Sequence, residues 1–416
     1  MFWLIEDIEK IKLFCSRQYE EVYVEIIPTS PYNHPTINSV SCVYIRPLID
    51  HKGYIIPISH SETINLPEDV LNDVFDSIGK IYVRDKKEFL HYFQLKNVYS
   101  TTPKLDVYTP EPTEAHTFFK NLYPRRHDLN NIVPIAKHYE ICQTNYKNFK
   151  IGDINRFYNE RAYIVYNMLE RAGVRVDQDA YKRYFDKSIG EYAYTNYNLN
   201  TTTTRPSNTF GGINFSTLNK ENGERECFIP RNDIFIEMDV SAYHPNLLSH
   251  ILHHDFGGVD IHMAFAELYG VDYQRSKEIT FQQIYGGIWK QYEELDFFKK
   301  VKEYTEEKWT EFNTQGYIKC DISGYIFEKD KLGEMNPQKL LNYILQERET
   351  STNVMLMWDI FKVLRGLKTK LVLTVYDSYL LDVDIEEKDC ILEIENIFSK
   401  HNLTVKYKKG INYNFK

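Results

Sequence analysis

Residues 234–252 read IFIEMDVSAYHPNLLSHIL, an apolar run that ends near Asp239 and becomes helical in pattern after Pro245. Residues 370–383, KLVLTVYDSYLLDV, have the pattern of a β-hairpin with Asp377 at its turn. A carboxylate among apolar neighbours is costly to desolvate unless it is paired, hydrogen-bonded or bound to metal. Either aspartate alone is explained by a capped turn or an arginine partner, whereas the two together indicate a site.

Between these two stretches lies a helical segment, RSKEITFQQIYGG, at residues 275–287. Lys277, Phe281 and Tyr285 recur every four residues and therefore share one face of the helix. A face with one cation and two rings can meet a triphosphate together with a base or sugar. The same spacing also fits an amphipathic helix with its aromatic rings in the core, and spacing alone favours that second interpretation.

Composition limits the class of protein. The chain has 416 residues, 43% hydrophobic and 26% charged, which predicts two or three globular domains and excludes wholesale disorder. It has no apolar run of about 18 residues, so we expect no membrane-spanning helix. The six cysteines form no C-x-x-C pair and the first residues lack a signal-peptide layout, which favours a reducing, cytoplasmic location. The net charge of -9 still permits a locally positive cleft for nucleic acid.

The character of the pattern changes along the chain. The first 110 residues contain β-type runs such as EVYVEII (21–27), followed by the helical segment 66–79, which predicts an α/β domain. From about residue 150 the pattern becomes helical, and 195–215 is a polar, turn-rich stretch. We therefore place a boundary near residue 150.

The order of these motifs resembles the polymerase module of family A (polymerase I-like) DNA polymerases, over about residues 160–416. The family's motif A, a strand ending in D-x-S, matches residues 239–241. The K-x-x-x-F-x-x-x-Y-G of its fingers helix matches 277–286, and motif C, usually H-D-E on a hairpin, matches 376–378. Weaker matches fall in the same order: ERAGVRVD (170–177), TRPS around Arg205, GERECFIPRND (223–233), DIHMAFAELYG (260–270) through His262, and N-x-x-x-Q at Asn342 and Gln346.

The resemblance implies a catalytic centre with two Mg²⁺ ions, for which Mn²⁺ could substitute. Asp239 and Asp377 would hold the metals, with the backbone carbonyl of Val240 as a further ligand. Lys277 would neutralise the phosphates and protonate the leaving group, and His262 would assist at the phosphates.

The resemblance also implies the partners, which are dNTPs and a primer-template DNA, with a processivity factor or another replication protein and no membrane. Phe281 would pack on the incoming sugar and base, and Tyr285 would stack near the templating base. Three polar residues would hold the duplex beside the site: Arg205, Asn342 and Gln346.

The chain departs from the family pattern at three charged positions. His244 stands where motif A carries a Glu that crowds the sugar 2′ position; because a ring can also exclude a 2′-hydroxyl, we expect deoxynucleotides and count His244 as nucleotide-binding. Ser378 replaces the Glu of motif C, which is closer to phage-type single-subunit RNA polymerases. Tyr273 replaces the fingers Arg, for which Arg275 is a candidate substitute.

Only residues 178–204 lie between the matches to ERAGVRVD and TRPS. Two antiparallel helices of about 20 residues, each roughly 30 Å long, do not fit in that span. The resemblance therefore predicts a truncated thumb and low processivity.

The amino-terminal region resembles, more faintly, a 3′-5′ exonuclease domain. Its metal-binding D-x-E reads Tyr23, Val24, Glu25, and Asp85 and Asp153 are loose matches to later metal positions. We expect an exonuclease-like fold without activity.

The predicted fold class is α/β followed by α+β: an RNase H-like α/β domain and a right-hand polymerase module with an antiparallel palm sheet. The predicted domains are an exonuclease-like domain at 1–150 and a polymerase module at 151–416. Within the module we expect a reduced thumb at 151–205, fingers at 260–312, and a palm formed by two segments: 206–259 and 313–416.

The function implied is template-directed DNA synthesis. The alternatives are a single-subunit RNA polymerase and a catalytically inactive DNA-binding accessory protein. The compact layout suggests, by analogy, a phage, virus or mobile element.

Overall fold

The chain divides into two units in a computed structural model. The first unit is Met1–Arg171 with Thr209–Ile213, and the second is Ala172–Asn208 with Asn214–Lys416. The structure describes these residues: 3–83, 86–93, 105–107, 130–147, 160–186, 189–199, 201–208, 213–257 and 259–415. Within them, no helix combines the length and apolar character needed to cross a bilayer.

The first unit is built on a mixed six-stranded sheet in the order β1-β4-β3-β2-β5-β6. β2–β3 and β3–β4 are antiparallel, whereas β1–β4, β2–β5 and β5–β6 are parallel. The strands are β1 Trp3–Leu4, β2 Glu21–Pro28, β3 Val40–Pro47, β4 Tyr54–Pro57, β5 Lys80–Val83 and β6 Leu105–Val107. The helices are α1 Ile8–Ser16, α2 Val70–Asp76, α3 Lys86–Tyr92, α4 Ile135–Lys147 and α5 Glu160–Ala172.

Glu25 on β2 is the remaining carboxylate of the exonuclease-like D-x-E. Its side chain is buried. The hydroxyl of Tyr23 donates to Oε1 at 2.7 Å, and Nδ2 of Asn145 donates to Oε2 at 3.1 Å. These hydrogen bonds help to stabilise the buried carboxylate. The other candidates, Asp85 and Asp153, lie outside the described residues.

The second unit contains an antiparallel four-stranded sheet in the order β15-β16-β12-β17. Its strands are β12 Ile234–Val240, β15 Lys370–Val375, β16 Ser378–Val383 and β17 Val405–Gly410. Smaller sheets are formed by β7 Val174–Val176, β8 Tyr192–Ala193 and β11 Phe228–Ile229, by β9 Tyr197–Asn198 and β10 Ser207–Asn208, and by β13 Tyr317–Lys319 and β14 Ile326–Glu328.

Helices surround this sheet. They are α6 Gln178–Phe185, α7 Tyr243–Ile251, α8 Ile261–Tyr269, α9 Tyr273–Gly286, α10 Asp296–Gln315, α11 Pro337–Val363 and α12 Cys390–Lys400. Helices α8 to α10 fall in the predicted fingers region. The described part of 178–204 contains the eight-residue α6 and the short strands β8 and β9, with no pair of long helices.

Asn353 on α11 ties three elements together beneath the hairpin. Its Oδ1 accepts hydrogen bonds from the hydroxyls of Tyr243 at 2.7 Å and Tyr379 at 2.6 Å. Its Nδ2 donates to the carbonyl oxygen of Tyr376 at 2.9 Å. Tyr376 has a φ of +59°, a left-handed conformation at the tip of the hairpin. The amide of Asn353 thus anchors the turn that carries Asp377.

Replacing Asn353 with alanine should lower the free energy of unfolding by about 2–5 kcal/mol, because two buried tyrosine hydroxyls lose their acceptor. Chemical denaturation measures this loss. The exposed Asn313→Ala is the matched control, with an expected change within about 0.5 kcal/mol. Equal stability of the two variants would contradict the anchoring role.

Candidate active site

The second unit's four-stranded sheet brings Asp239 and Asp377 together. Asp239 on β12 pairs in register with Ser378 on β16, and the N–H of Val240 donates to the carbonyl oxygen of Asp377 at 2.9 Å. Asp377 occupies the turn between β15 and β16, as the sequence pattern predicts. Two residues 138 positions apart therefore lie next to each other, one near the end of β12 and the other in the turn beside it.

Both carboxyl groups are held in an environment that opposes ionisation. Burial raises the pKa of Asp377 to about 6, with further contributions from the charges of Asp239 and Glu349. Burial also raises the pKa of Asp239, against the attraction of Lys408 and Lys277. Two half-buried carboxylates whose charge is incompletely compensated form a donor set that a hard divalent cation can satisfy.

Helix α9 turns its candidate face away from the core. The rings of Phe281 and Tyr285 are stacked, with centroids 5.9 Å apart and planes inclined by 10°. Tyr285 is 37% exposed, and Lys277, also exposed, has Nζ 5.9 Å from the Phe281 centroid. The opposite face carries the buried residues of the helix, such as Ile279 and Ile284. The interpretation that these aromatics form core packing is therefore wrong.

A cavity of about 370 Å³ lies beside Asp377, within the size range of small-molecule sites. Seven predicted site residues share it with two residues that were not predicted, Tyr243 and Glu349. Its lining is Arg205, Tyr243, His244, Phe281, Tyr285, Asn342, Gln346, Glu349 and Asp377.

His262 is an unusual member of the site. It is 1% exposed, and neither ring nitrogen has a hydrogen-bond partner among the described residues. Burial lowers its pKa to about 4; the charges of Lys277 and Lys406 add to this effect, while Asp260 opposes it. The ring meets Phe281 at a steep angle, with centroids 5.7 Å apart. An uncharged imidazole with unsatisfied nitrogens is thus kept near two lysines.

The three predicted duplex-binding residues already make polar contacts. Nε2 of Gln346 donates to Oδ1 of Asn342 at 3.0 Å, and Thr203 donates to Oε1 of Gln346 at 2.7 Å. Nη2 of Arg205 lies 3.1 Å from Oε1 of Glu349, and its guanidinium carbon lies 4.0 Å from the Tyr376 ring centroid. These side chains are therefore pre-oriented along the edge of the cavity.

Two buried glutamates of the site were missed by the sequence analysis. Glu237 precedes Asp239 by two residues, so the two share a strand face, and Ser378 donates to its Oε2 at 3.1 Å. Glu349 follows Gln346 by three residues on one helix face and accepts from His244. The spacing of Glu237 from Asp239, and that of Glu349 from Gln346, could have identified both glutamates from the sequence.

The candidate substitute for the fingers Arg does not face the site. Arg275 pairs with Glu278 on the exposed side of α9, with Nη1 2.7 Å from Oε2. Instead, Nζ of Lys406 on β17 donates to the hydroxyl of Tyr273 at 2.7 Å. Lys406 of β17 therefore places a cation beside Tyr273, the residue that stands where the family pattern has an Arg.

A second cluster of metal-ligand residue types lies in the first unit. Donor atoms of His34, His91 and Glu170 lie within 4.8 Å of one another. However, Glu170 accepts from Nζ of Lys87 at 2.7 and 2.9 Å and lies 2.8 Å from Nε2 of His91. The lysine neutralises the carboxylate, so these contacts account for the cluster without a metal ion.

Replacing Asp377 with asparagine should stabilise the metal-free protein at neutral pH. The folded-state pKa of Asp377, about 6, exceeds its ordinary 3.8. Protonation of Asp377 therefore stabilises the wild type. This contribution is fully present below about pH 3.8 and is lost as the pH rises through about 6. The neutral amide avoids that loss, which is worth up to about 3 kcal/mol.

Denaturation in a chelator, from about pH 4 to about pH 7, measures this effect. The advantage of the variant should grow with pH. The surface variant Asp359→Asn is the control and should show no such trend relative to wild type. A difference between Asp377→Asn and wild type that stays constant with pH would contradict the buried charge.

No family model matches the chain, and no curated protein sequence matches it. Among solved structures, the chain is similar to the POL domain of Pol1 from M. smegmatis in complex with DNA primer-template and dNTP. The TM-score is 0.70 at 13% identity, and the match covers 100% of this chain and 99% of that chain. At this identity the likeness shows the fold: the chain has the fold of a polymerase domain.

Proposed function

We propose that the chain is a template-directed DNA polymerase that adds dNTPs to the 3′ end of a primer. The observation that carries the proposal is the meeting of Asp239 and Asp377 in one sheet, beside a cavity lined by Phe281 and Tyr285. The similar fold was solved with primer-template and dNTP, which supports these partners for this chain.

Asp239 and Asp377 would hold two Mg²⁺ ions, or Mn²⁺, together with the carbonyl oxygen of Val240. When bound, such ions activate the primer hydroxyl and stabilise charge on the leaving pyrophosphate. The raised pKa values of both aspartates support this assignment, because a bound cation would offset the repulsion between them. The protein's part is to keep the two residues together, through the β12–β16 pairing and the backbone hydrogen bond from Val240 to Asp377.

The phosphates would be met by Lys277 and His262. Lys277 lies at an exposed position where its ammonium can neutralise phosphate charge and donate a proton to the departing pyrophosphate. The low pKa of His262 keeps its ring neutral, so one nitrogen can donate to a phosphate oxygen. This use would also satisfy a buried polar group that has no partner among the described residues.

The sugar and base would occupy the cavity. Phe281 would pack on the sugar and base, Tyr285 would stack near the templating base, and His244 would crowd the 2′ position. Three residues would contact the duplex at the cavity's edge: Arg205, Asn342 and Gln346.

A single-subunit RNA polymerase is the second candidate, favoured by Ser378 in motif C. The hydrogen bond from Ser378 to Glu237 weakens that case. It places the carboxylate of Glu237 beside Ser378, where the DNA polymerase pattern carries a Glu. An inactive accessory protein is disfavoured because it has no need to keep two half-buried carboxylates next to each other.

Asp377→Asn should lower the rate of nucleotide addition by roughly a thousandfold or more, while the affinity for DNA stays near that of wild type. Primer extension with dNTPs and with NTPs, with and without Mg²⁺, measures activity, and fluorescence anisotropy with primer-template measures binding. Asp359→Asn is the control and should extend primers normally.

Unaltered synthesis by Asp377→Asn would refute the metal assignment. Preferential use of NTPs by the wild type would favour the RNA polymerase. Tight DNA binding without synthesis from either nucleotide would favour the accessory protein.

The proposed domain layout is an exonuclease-like domain at 1–150 and a polymerase module at 151–416, with a reduced thumb at 151–205. The hydrogen bonds to Glu25 support a structural role for the first domain, and the absence of a long helix pair in the described part of 178–204 supports the reduced thumb. A weak grip on duplex DNA follows, for which a processivity factor or another replication protein would compensate.

In a primer-extension assay with excess trap DNA, one binding event should yield short products of about tens of nucleotides or fewer, since few phosphates are held. Raising the salt concentration should shorten them further. Products hundreds of nucleotides long from the isolated protein would contradict the reduced thumb. Lengthening by an added partner protein would be consistent with it.

A further inference from the structure

We propose that Glu349 is a positioning residue for sugar selection: it holds the His244 ring against the Tyr285 hydroxyl at the floor of the nucleotide cavity. This inference rests on the proposed polymerase function. It assigns to α11 a carboxylate that the family pattern carries in motif A, at the position occupied here by His244.

The contacts form one continuous chain of polar groups. Oε2 of Glu349 lies 2.6 Å from Nε2 of His244, and Nδ1 of His244 lies 2.5 Å from the hydroxyl of Tyr285. Glu349 is 2% exposed, and all three side chains line the same cavity. A buried carboxylate is thus connected to the exposed tyrosine of the fingers helix through a single ring.

The hydrogen positions follow from the chemistry of the two ends. A carboxylate oxygen only accepts, so Nε2 of His244 carries the hydrogen that it donates to Glu349. The ring of Tyr285 is partly exposed, but its hydroxyl lies against His244, where desolvation and then the charge of Glu349 raise its pKa. The hydroxyl and Nδ1 of His244 share the second hydrogen bond of the ring. Glu349 thus fixes Nε2 as a donor and sets the orientation of His244.

The second oxygen of Glu349 is also engaged. Oε1 accepts from Nε of Arg205 at 3.2 Å and lies 3.1 Å from Nη2, and the guanidinium lies over Tyr376, the neighbour of Asp377. With both oxygens bonded, the carboxylate has little freedom to rotate. The ring it holds therefore presents a rigid surface, which can exclude a 2′-hydroxyl better than a mobile side chain.

Single-nucleotide incorporation kinetics on a primed DNA template test the proposal. The quantity is the ratio of kcat/KM for a dNTP to kcat/KM for the matching NTP. Glu349→Gln keeps the shape but removes the charged acceptor that holds Nε2 of His244, and it should lower this ratio about ten- to a hundredfold, the range for loss of a hydrogen bond to a charged group. A residue with a merely structural role would lower both rates alike and leave the ratio unchanged.

Tyr285→Phe is a second variant that tests the other end of the chain without a buried change. It should lower the ratio in the same direction, and the double variant should lose no more than the larger single loss, because both act through His244. Glu347→Gln is the matched control: Glu347 is equally buried on α11 and bonds to Ser323 and Ser351, so its ratio should equal that of wild type.

An unchanged ratio in Glu349→Gln, or additive losses in the double variant, would overturn the proposal. If Glu349→Gln does not fold, an unchanged ratio in Tyr285→Phe overturns it. A wild type that incorporates neither nucleotide would instead overturn the polymerase function itself.

Discussion

The placement of two half-buried carboxyl groups next to each other at one end of a sheet is the constraint on which the rest of the site depends. The β12–β16 register holds Asp239 next to the turn that carries Asp377, and Asn353 anchors that turn from α11. Burial raises the pKa of both carboxyls; the charge of Asp239 adds to the shift of Asp377, and the charge of Glu237 adds to that of Asp239. The charged forms are therefore disfavoured in the folded state, and the proposed divalent cation would offset that cost.

Three charged groups of the family pattern are absent from their usual positions, and in each case a like group from a neighbouring element contacts the residue that replaced it. Ser378 donates to Glu237, His244 meets Glu349, and Tyr273 accepts from Lys406. Each of the three positions therefore keeps a charged group in contact, although that group comes from another strand or helix.

Local patterns predicted the parts of the site that depend on local geometry. The hairpin around Asp377 and the shared face of Lys277, Phe281 and Tyr285 follow from strand and helix periodicity. The contacts of Glu349 with His244 and of Lys406 with Tyr273 could not be predicted, because these partners lie 105 and 133 residues apart in the chain. The exposure of Tyr285 likewise could not be decided from spacing, since which helix face is buried depends on what packs against it.

Anomalous scattering from crystals grown with Mn²⁺, primer-template and a non-hydrolysable dNTP tests the central claim most directly. The account predicts anomalous peaks between the carboxyl groups of Asp239 and Asp377 that vanish when either residue is replaced by asparagine. Carboxyl groups too far apart to share an ion, or peaks confined to other residues, would contradict it.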